Sequence, residues 1–139
     1  MVDRPILARH IAAVRDAVDR IRSVLPASPE TFAADRTARE VVILNLFVAI
    51  QACLDLAARW LADEGWDVPQ RYGEIFLALA DHAVIDRALA LRLVGAAGLR
   101  NLIAHQYGAV DWGRLHAIAS SPELDDLEAF CAALAAKLR

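Results

Sequence analysis

The 139-residue sequence has almost none of the residues that build disulfide frameworks or thiolate metal sites. Its two cysteines, Cys53 and Cys131, lie in apolar helical patterns, and neither belongs to a Cys-x-x-Cys pair or to a cluster with histidine. This excludes a disulfide scaffold and a zinc site of the usual spacing. Both thiols are predicted to be small buried hydrophobes in a reducing compartment, and no metal or cofactor is expected.

Positive charge is scarce overall, and lysine is nearly absent. The chain carries 15 Lys and Arg against 18 Asp and Glu, which gives a formal net charge of −3, and Lys137 is the only lysine. This balance excludes a global basic field that would draw in nucleic acid. Any contact with a polyanion must therefore come from a local group of arginines.

Glycine and proline are also few, at six and five residues, while 58% of the residues are hydrophobic. This composition argues against disorder, and the sequence has neither strand alternation nor an internal repeat. A chain of this length is expected to form one domain with a substantial core. We therefore predict an all-α fold, an up-and-down bundle of about five to six helices, as a single domain over residues 1–139.

Long apolar runs are missing as well. At the start, Asp3 and Arg4 lead into an amphipathic pattern and not into the apolar segment of a signal peptide. The longest uncharged run, residues 41–54, contains Asn45 and Gln51 and is shorter than the about 20 apolar residues that span a bilayer. We predict a cytoplasmic protein without a membrane segment, in which this run is a central helix buried in the core or against a second subunit.

Helix boundary signals divide the sequence clearly. Asp35 and Asp86 are expected to cap two helices, and Gly65 and Gly108 are expected to end them. Together with the prolines, these signals predict a capped turn at residues 28–31 and helices over residues 5–25, 36–64, 72–82, 87–108, 111–120 and 122–138.

A short polar patch stands out from the apolar helices, because Arg100, Asn101, His105 and Tyr107 occur within eight residues. At 100° per residue, Arg100 and Tyr107 fall on one side of a helical trough, and Asn101 and His105 fall on the other. If the helix instead frays near Gly108, His105 swings closer to Arg100. The sequence leaves both arrangements open.

The patch combines two groups that suit RNA cleavage. A guanidinium is always charged and can grip a phosphate, whereas an imidazole transfers protons near neutral pH. Ordinary roles stay open beside this one. Arg100 could pair with a carboxylate of another helix, His105 could be a surface or capping residue, Tyr107 could be a half-buried core phenol, and Asn101 could be only a polar helix end.

The remaining histidines and the tryptophans offer no comparable pattern. The histidines have no neighbours at a spacing typical of catalytic or metal sites, and we interpret them as structural or solvated. We interpret the tryptophans as core or interface anchors and not as surfaces on which nucleic-acid bases stack. These residues are His10, His82, His116, Trp60, Trp66 and Trp112.

The stretch of residues 98–107, GLRNLIAHQY, resembles the signature of the HepT-like toxins of the HEPN superfamily, Arg-Asn-x3-His-x-Tyr. The helix pattern around it agrees over nearly the whole chain. The resemblance implies a metal-independent endoribonuclease toxin in which Arg100 and His105 are catalytic and Asn101 supports them. It also implies a partner, a small nucleotidyltransferase-fold antitoxin, which in some members modifies the residue matching Tyr107 with AMP.

Cleavage of RNA through its own 2′-hydroxyl needs a base, an acid and a cation that stabilises the crowded phosphate. His105 and Arg100 supply one proton-transfer group and the cation, so one role stays unfilled within a single motif. A two-fold homodimer would present two of each across one cleft, and we expect such a dimer. Two other functions stay open on the sequence: a non-catalytic helical module that binds a nucleotidyltransferase or a nucleotide, and a plain dimerisation bundle.

Overall fold

A computed structural model describes residues 3–138, and in this range the chain folds into helices without a strand. The predicted all-α class is confirmed. Residues 3–138 form seven helices and not five to six, because the capped turn after Ser28 is a short helix of its own. The ends of the predicted domain, residues 1, 2 and 139, lie outside the described range. The helices are α1 (Arg4–Val24), α2 (Pro29–Ala34), α3 (Arg36–Asp63), α4 (Tyr72–Asp81), α5 (Arg87–His105), α6 (Trp112–Ser120) and α7 (Asp125–Lys137), with 3-10 turns at Tyr107–Ala109 and Pro122–Leu124.

The predicted helix boundaries hold where a side chain or a glycine sets them. The Asp35 carboxylate accepts a hydrogen bond from the Ala38 N–H at 3.0 Å and so caps α3. Asp86 caps α5 in the same way, as both sequence signals predicted. At its other end α3 stops before Gly65, whose φ of +75° is a left-handed conformation that favours glycine.

The core is built around α3, against which α1 packs along its length, while α4 packs against α5. Phe76 of α4 and Phe130 of α7 are fully buried and meet edge to face, with ring centroids 5.4 Å apart. Cys53 and Cys131 are both buried and free, which confirms the prediction that they act as small hydrophobes. The fixed position of α3 matters because its exposed face carries the partners of the polar patch.

Helix α3 is long and apolar enough to cross a membrane when judged by length and composition alone. The uncharged run of residues 41–54 is too short, but the 28-residue helix contains an 18-residue window with a mean hydropathy of 2.2. Because 56% of that window is buried inside the fold, we interpret α3 as the predicted central core helix. A core helix of a soluble protein passes the same test.

Helix α5 ends at His105, so the prediction that it continues to Gly108 is wrong. Gln106 leaves the helical conformation, with φ −138° and ψ 46°, and residues Tyr107–Ala109 form a separate 3-10 turn. The chain therefore changes direction inside the polar patch. Arg100 and His105 stay on α5, whereas Tyr107 belongs to the next element.

Candidate active site

Arg100 is half-buried between two aromatic rings from other helices. Its guanidinium carbon lies 5.1 Å from the ring centroid of Phe47 on α3 and 4.6 Å from that of Tyr72 on α4. Its Nε donates a hydrogen bond of 2.7 Å to the Gln51 side-chain oxygen. Two cation–π contacts and the hydrogen bond that the charged guanidinium donates to Gln51 fix the plane of the guanidinium.

Asn101 contacts the same guanidinium, since its side-chain oxygen accepts a hydrogen bond of 3.2 Å from Nη1 of Arg100. Within residues 3–138 no carboxylate pairs with Arg100, so the interpretation of Arg100 as one half of an ion pair is wrong. The charge of Arg100 is therefore oriented by neutral groups and is not neutralised. An anionic ligand could still use it.

His105 is exposed and is the last residue of α5. In the part of the chain that the structure describes, its ring makes no hydrogen bond, ion pair or ring contact. His105 lies five residues beyond Arg100, about 7.5 Å along the helix and about 140° around it. The two side chains therefore leave α5 in directions well apart, and within residues 3–138 no contact between them is recorded.

A continuous helix would have placed Tyr107 beside Arg100. The helix ends at His105, so Tyr107 belongs to the turn that follows and lies against Trp112 instead. Its ring is 50% exposed and meets Trp112 of α6 edge to face at 6.0 Å between centroids. Half of the ring is therefore buried against Trp112, which leaves the interpretation as a half-buried phenol open. Tyr107 borders a pocket of about 250 Å³ that Arg36 and Arg39 also line.

Sequence reasoning missed the three residues that hold Arg100. Gln51 carried the clearest signal, because it is a polar residue inside the uncharged run of α3. Its amide nitrogen also donates to the Asp55 carboxylate at 2.8 Å, which fixes its orientation. Phe47 and Tyr72 gave no such signal, since aromatic residues in helices usually pack in cores.

The other histidines have the structural roles that were predicted. His116 is buried and its Nε2 hydrogen-bonds the Pro26 carbonyl at 2.7 Å. His10 bonds the Ile6 carbonyl. His82 is exposed and its ring stacks on that of Trp66 at 3.7 Å.

The tryptophans anchor the core as predicted. Trp60 is buried, and Trp66 and Trp112 pack against the core with partial exposure.

The arrangement offers an oriented cation and an exposed proton-transfer group on one end of α5. Among residues 3–138, no group of three or more His, Cys, Asp or Glu side chains is placed to hold a metal ion. A guanidinium that keeps its charge can stabilise an anion, and a solvated imidazole can accept or donate a proton. These two capacities are the ones that phosphodiester cleavage uses.

A family model described as ribonuclease HepT-like matches residues 14–134. The mRNA nuclease HepT of Shewanella oneidensis is 31% identical over 102 residues, which are 73% of this chain and 76% of that protein.

Two solved structures share the fold. One chain of a crystal structure of a toxin–antitoxin with AMP-PNP superposes with a TM-score of 0.88 at 27% identity, covering 96% of this chain and 99% of that one. A tri-AMPylated Shewanella oneidensis HEPN toxin in complex with MNT antitoxin superposes with a TM-score of 0.86 at 29% identity, covering 98% and 99%.

Proposed function

Because the chain belongs to the HepT-like ribonuclease family, we propose that it is an endoribonuclease toxin that cuts RNA with Arg100 and His105. The observation that carries the proposal is the state of Arg100: its guanidinium is held in place by Phe47, Tyr72 and Gln51 but keeps its charge. Such a group is preorganised for an anion and costs little reorganisation when the transition state forms.

The proposed reaction uses the 2′-hydroxyl of the RNA as the nucleophile. A base removes its proton, the 2′-oxygen bonds to phosphorus, and the bond from phosphorus to the 5′-oxygen breaks while an acid protonates that oxygen. The products are a 2′,3′-cyclic phosphate and a 5′-hydroxyl. His105 performs one proton transfer, and Arg100 binds two phosphate oxygens of the crowded intermediate, so no metal is needed. Asn101 is proposed to support Arg100 through their hydrogen bond.

A second copy of the chain is proposed to supply the other proton-transfer group. The outward face of α5 favours this, since Leu91 is 56% exposed and a Cβ added at Gly95 or Gly98 would meet nothing within 4 Å. These residues follow helical spacing and share a side of α5 with His105. A two-fold dimer through this face would bring the two copies of His105 together, whereas Arg100 leaves α5 on the opposite side.

Subunit mixing tests the shared site. Arg100→Ala and His105→Ala are each expected to be inactive as homodimers. Co-refolded mixtures are expected to regain part of the cleavage, because a mixed dimer carries one Arg100 and one His105, whereas each homodimer lacks one kind of group entirely. The rate should stay below wild type, since the second imidazole is missing. A wild-type protein that is monomeric and fully active would rule out the dimeric site.

We further propose that a nucleotidyltransferase-fold antitoxin neutralises this chain and adds AMP to Tyr107. Two relatives support this, since one is described as a toxin in complex with MNT antitoxin and as tri-AMPylated, and the other as a toxin–antitoxin with AMP-PNP. The Tyr107 ring is half exposed and open to modification. Mass spectrometry of the protein made with and without the antitoxin tests this, and an unmodified Tyr107 in the presence of an active antitoxin would contradict it.

The experiment that tests the main proposal is incubation with total RNA in excess EDTA. Wild-type protein is expected to cut the RNA, and His105→Ala is expected to leave it intact. His82→Ala, which removes an exposed histidine far from the patch along the chain, serves as the matched control. Cleavage that EDTA abolishes would contradict the metal-independent mechanism, and cleavage by His105→Ala at the wild-type rate would contradict the assigned site.

The cellular setting follows from the substrate. An enzyme that cuts RNA as a toxin must act where the RNA is, so we propose the cytoplasm as its compartment and a single HEPN-like domain over residues 1–139 as the acting unit. Growth arrest on expression without the antitoxin, lost in His105→Ala, is the expected phenotype. A healthy cell with abundant soluble wild-type protein would favour a non-catalytic binding module.

A further inference from the structure

A second cationic site lies beside Tyr107, away from Arg100. Arg36 and Arg39, on the first turns of α3, line a pocket of about 250 Å³ together with Tyr107 and Trp112. The pocket is near the lower end of the volumes that small ligands occupy, large enough for a phosphate and part of a nucleoside. In a chain with net charge −3, two guanidinium groups in one pocket are a local excess of positive charge.

Arg39 is a half-buried cation in this pocket. Its guanidinium carbon lies 5.0 Å from the ring centroid of Trp112, and its Nε is buried without a hydrogen bond. Within residues 3–138 no carboxylate pairs with it. A partly desolvated charge without a partner is unfavourable unless an anion completes it, so Arg39 points to an anionic ligand.

Arg36 adds a second, accessible guanidinium. Its side chain is 84% exposed, and its Nε donates to the Glu40 carboxylate at 2.8 Å. The hydrogen bond and the negative charge of Glu40 raise the pKa of Arg36, and the negative charge of Tyr107 in its ionised form acts in the same direction. Two guanidinium groups and the Glu40 carboxylate leave the pocket with a net charge of about +1, and the terminal nitrogens of Arg36 are not used by Glu40.

The pocket lies on the same side of α3 as Phe47, whose ring contacts the Arg100 guanidinium. Arg36 and Phe47 are eleven positions apart, which is within about 20° of three full turns and about 16 Å along the helix. Gln51, which holds Arg100, follows four residues later on this side. A single strand of RNA that lies along α3 would therefore pass Arg100 and then reach Arg36.

We propose that Arg36 and Arg39 bind a backbone phosphate of the RNA that flanks the cleaved linkage, with the half-exposed Tyr107 ring stacking on its nucleoside. This inference rests on the proposed function, since it assigns a second contact to the same substrate. Planar guanidinium groups match phosphate oxygens in pairs, and an aromatic ring accepts any base. Trp112 contacts both Arg39 and Tyr107 and positions them.

The test measures RNA binding in a protein that cannot cut it. In a His105→Ala background, the affinity for a labelled single-stranded RNA of about 12 nucleotides is measured at several salt concentrations. Arg39→Gln and Arg36→Gln are each expected to weaken binding about tenfold. Each is also expected to reduce the salt slope of log K by about 0.7, the loss of one phosphate contact. Arg36→Gln alters an exposed side chain, so it remains informative if Arg39→Gln folds poorly.

Arg59→Gln is the matched control, because it removes one arginine from the same helix about 30 Å away. A loss no larger than that of Arg59→Gln in both pocket variants would overturn the assignment. So would a loss of affinity for the antitoxin with unchanged RNA binding, since that result would make the pocket a protein-docking site. If the His105→Ala protein binds no RNA at all, the proposed RNA-cutting function fails together with the subsite. If it binds RNA but the pocket variants bind equally well, only the subsite fails.

Substrate length gives a second measurement, on the protein with His105 intact. A dinucleotide contains only the cleaved phosphate and cannot reach Arg36. Arg36→Gln is therefore expected to lower kcat/KM for the long RNA and to leave kcat/KM for the dinucleotide unchanged. Equal losses on both substrates would contradict a flanking subsite.

Discussion

Replacement of Gln51 by leucine tests how the structure prepares Arg100 for catalysis. The Gln51 side-chain oxygen accepts the 2.7 Å hydrogen bond from Arg100 Nε, and its amide donates to Asp55. Leucine keeps similar bulk but offers no acceptor. The guanidinium would stay near Phe47 and Tyr72 but lose the contact that sets its rotation about the side-chain axis.

The expected size of the effect follows from the burial of this contact. A hydrogen bond to a charged group contributes about 1.5–3 kcal/mol. Arg100 and Gln51 are half-buried and the two ring contacts remain, so the lower end of about 1.5 kcal/mol applies. That energy corresponds to an about tenfold fall in rate. Because Arg100 acts on charge that develops during the reaction, we expect the fall in kcat and little change in KM.

The assay is steady-state cleavage of a fluorogenic RNA, with urea unfolding measured in parallel. Gln70→Leu, a change at an exposed glutamine between α3 and α4, is the control and is expected to be neutral. Gln51→Glu is expected to be slower than Gln51→Leu, because a carboxylate would neutralise Arg100. An unchanged kcat in folded Gln51→Leu would refute the positioning role, and a large loss of stability would assign Gln51 to the core instead.

Three further predictions concern the fold. Phe76→Ala removes a fully buried ring that packs on Phe130 and is expected to cost about 3–5 kcal/mol in urea unfolding; a cost near zero would show that the core is not packed there. Ala83, just after α4, has a φ of +58°, a left-handed conformation that is strained for alanine. Ala83→Gly is therefore expected to stabilise the folded protein by about 1 kcal/mol and to raise Tm, and a lower Tm would contradict the strain. The contact with Cys131 and burial raise the pKa of the Cys53 thiol, whereas the contact with Cys53 lowers the pKa of the Cys131 thiol. Because both thiols are buried, a thiol reagent at mildly alkaline pH should label neither until urea unfolds the chain, and rapid labelling of the folded protein would contradict this burial.

The helices were predictable because their boundaries are set locally. Asp35 and Asp86 each accept a hydrogen bond from an amide three residues later, which a sequence pattern captures directly. Gly65 ends α3 through its own backbone conformation. The end of α5 was not predictable in this way, since the chain leaves the helix at Gln106 and not at Gly108. Neither Gln106 nor Tyr107 carries a strong stop signal.

The surroundings of the motif could not be predicted, because they come from distant parts of the chain. The sequence singled out Arg100 and His105 by chemical type, and nothing in the spacing of residues indicated that Phe47 and Tyr72 would enclose the guanidinium. Tyr107 was placed beside Arg100 by helical geometry, and the turn moved it to Trp112 instead. Periodicity reports which face of a helix is buried, whereas contacts between helices depend on how those faces pack.

The most direct test of the central claim compares single-turnover cleavage of one RNA by wild type, Arg100→Ala, His105→Ala and the double variant. If the guanidinium and the imidazole form one catalytic unit, each single variant should lose most of the rate, and the double variant should be little slower than the slower single variant. Losses that simply multiply, or a single variant that retains the wild-type rate, would contradict a shared site.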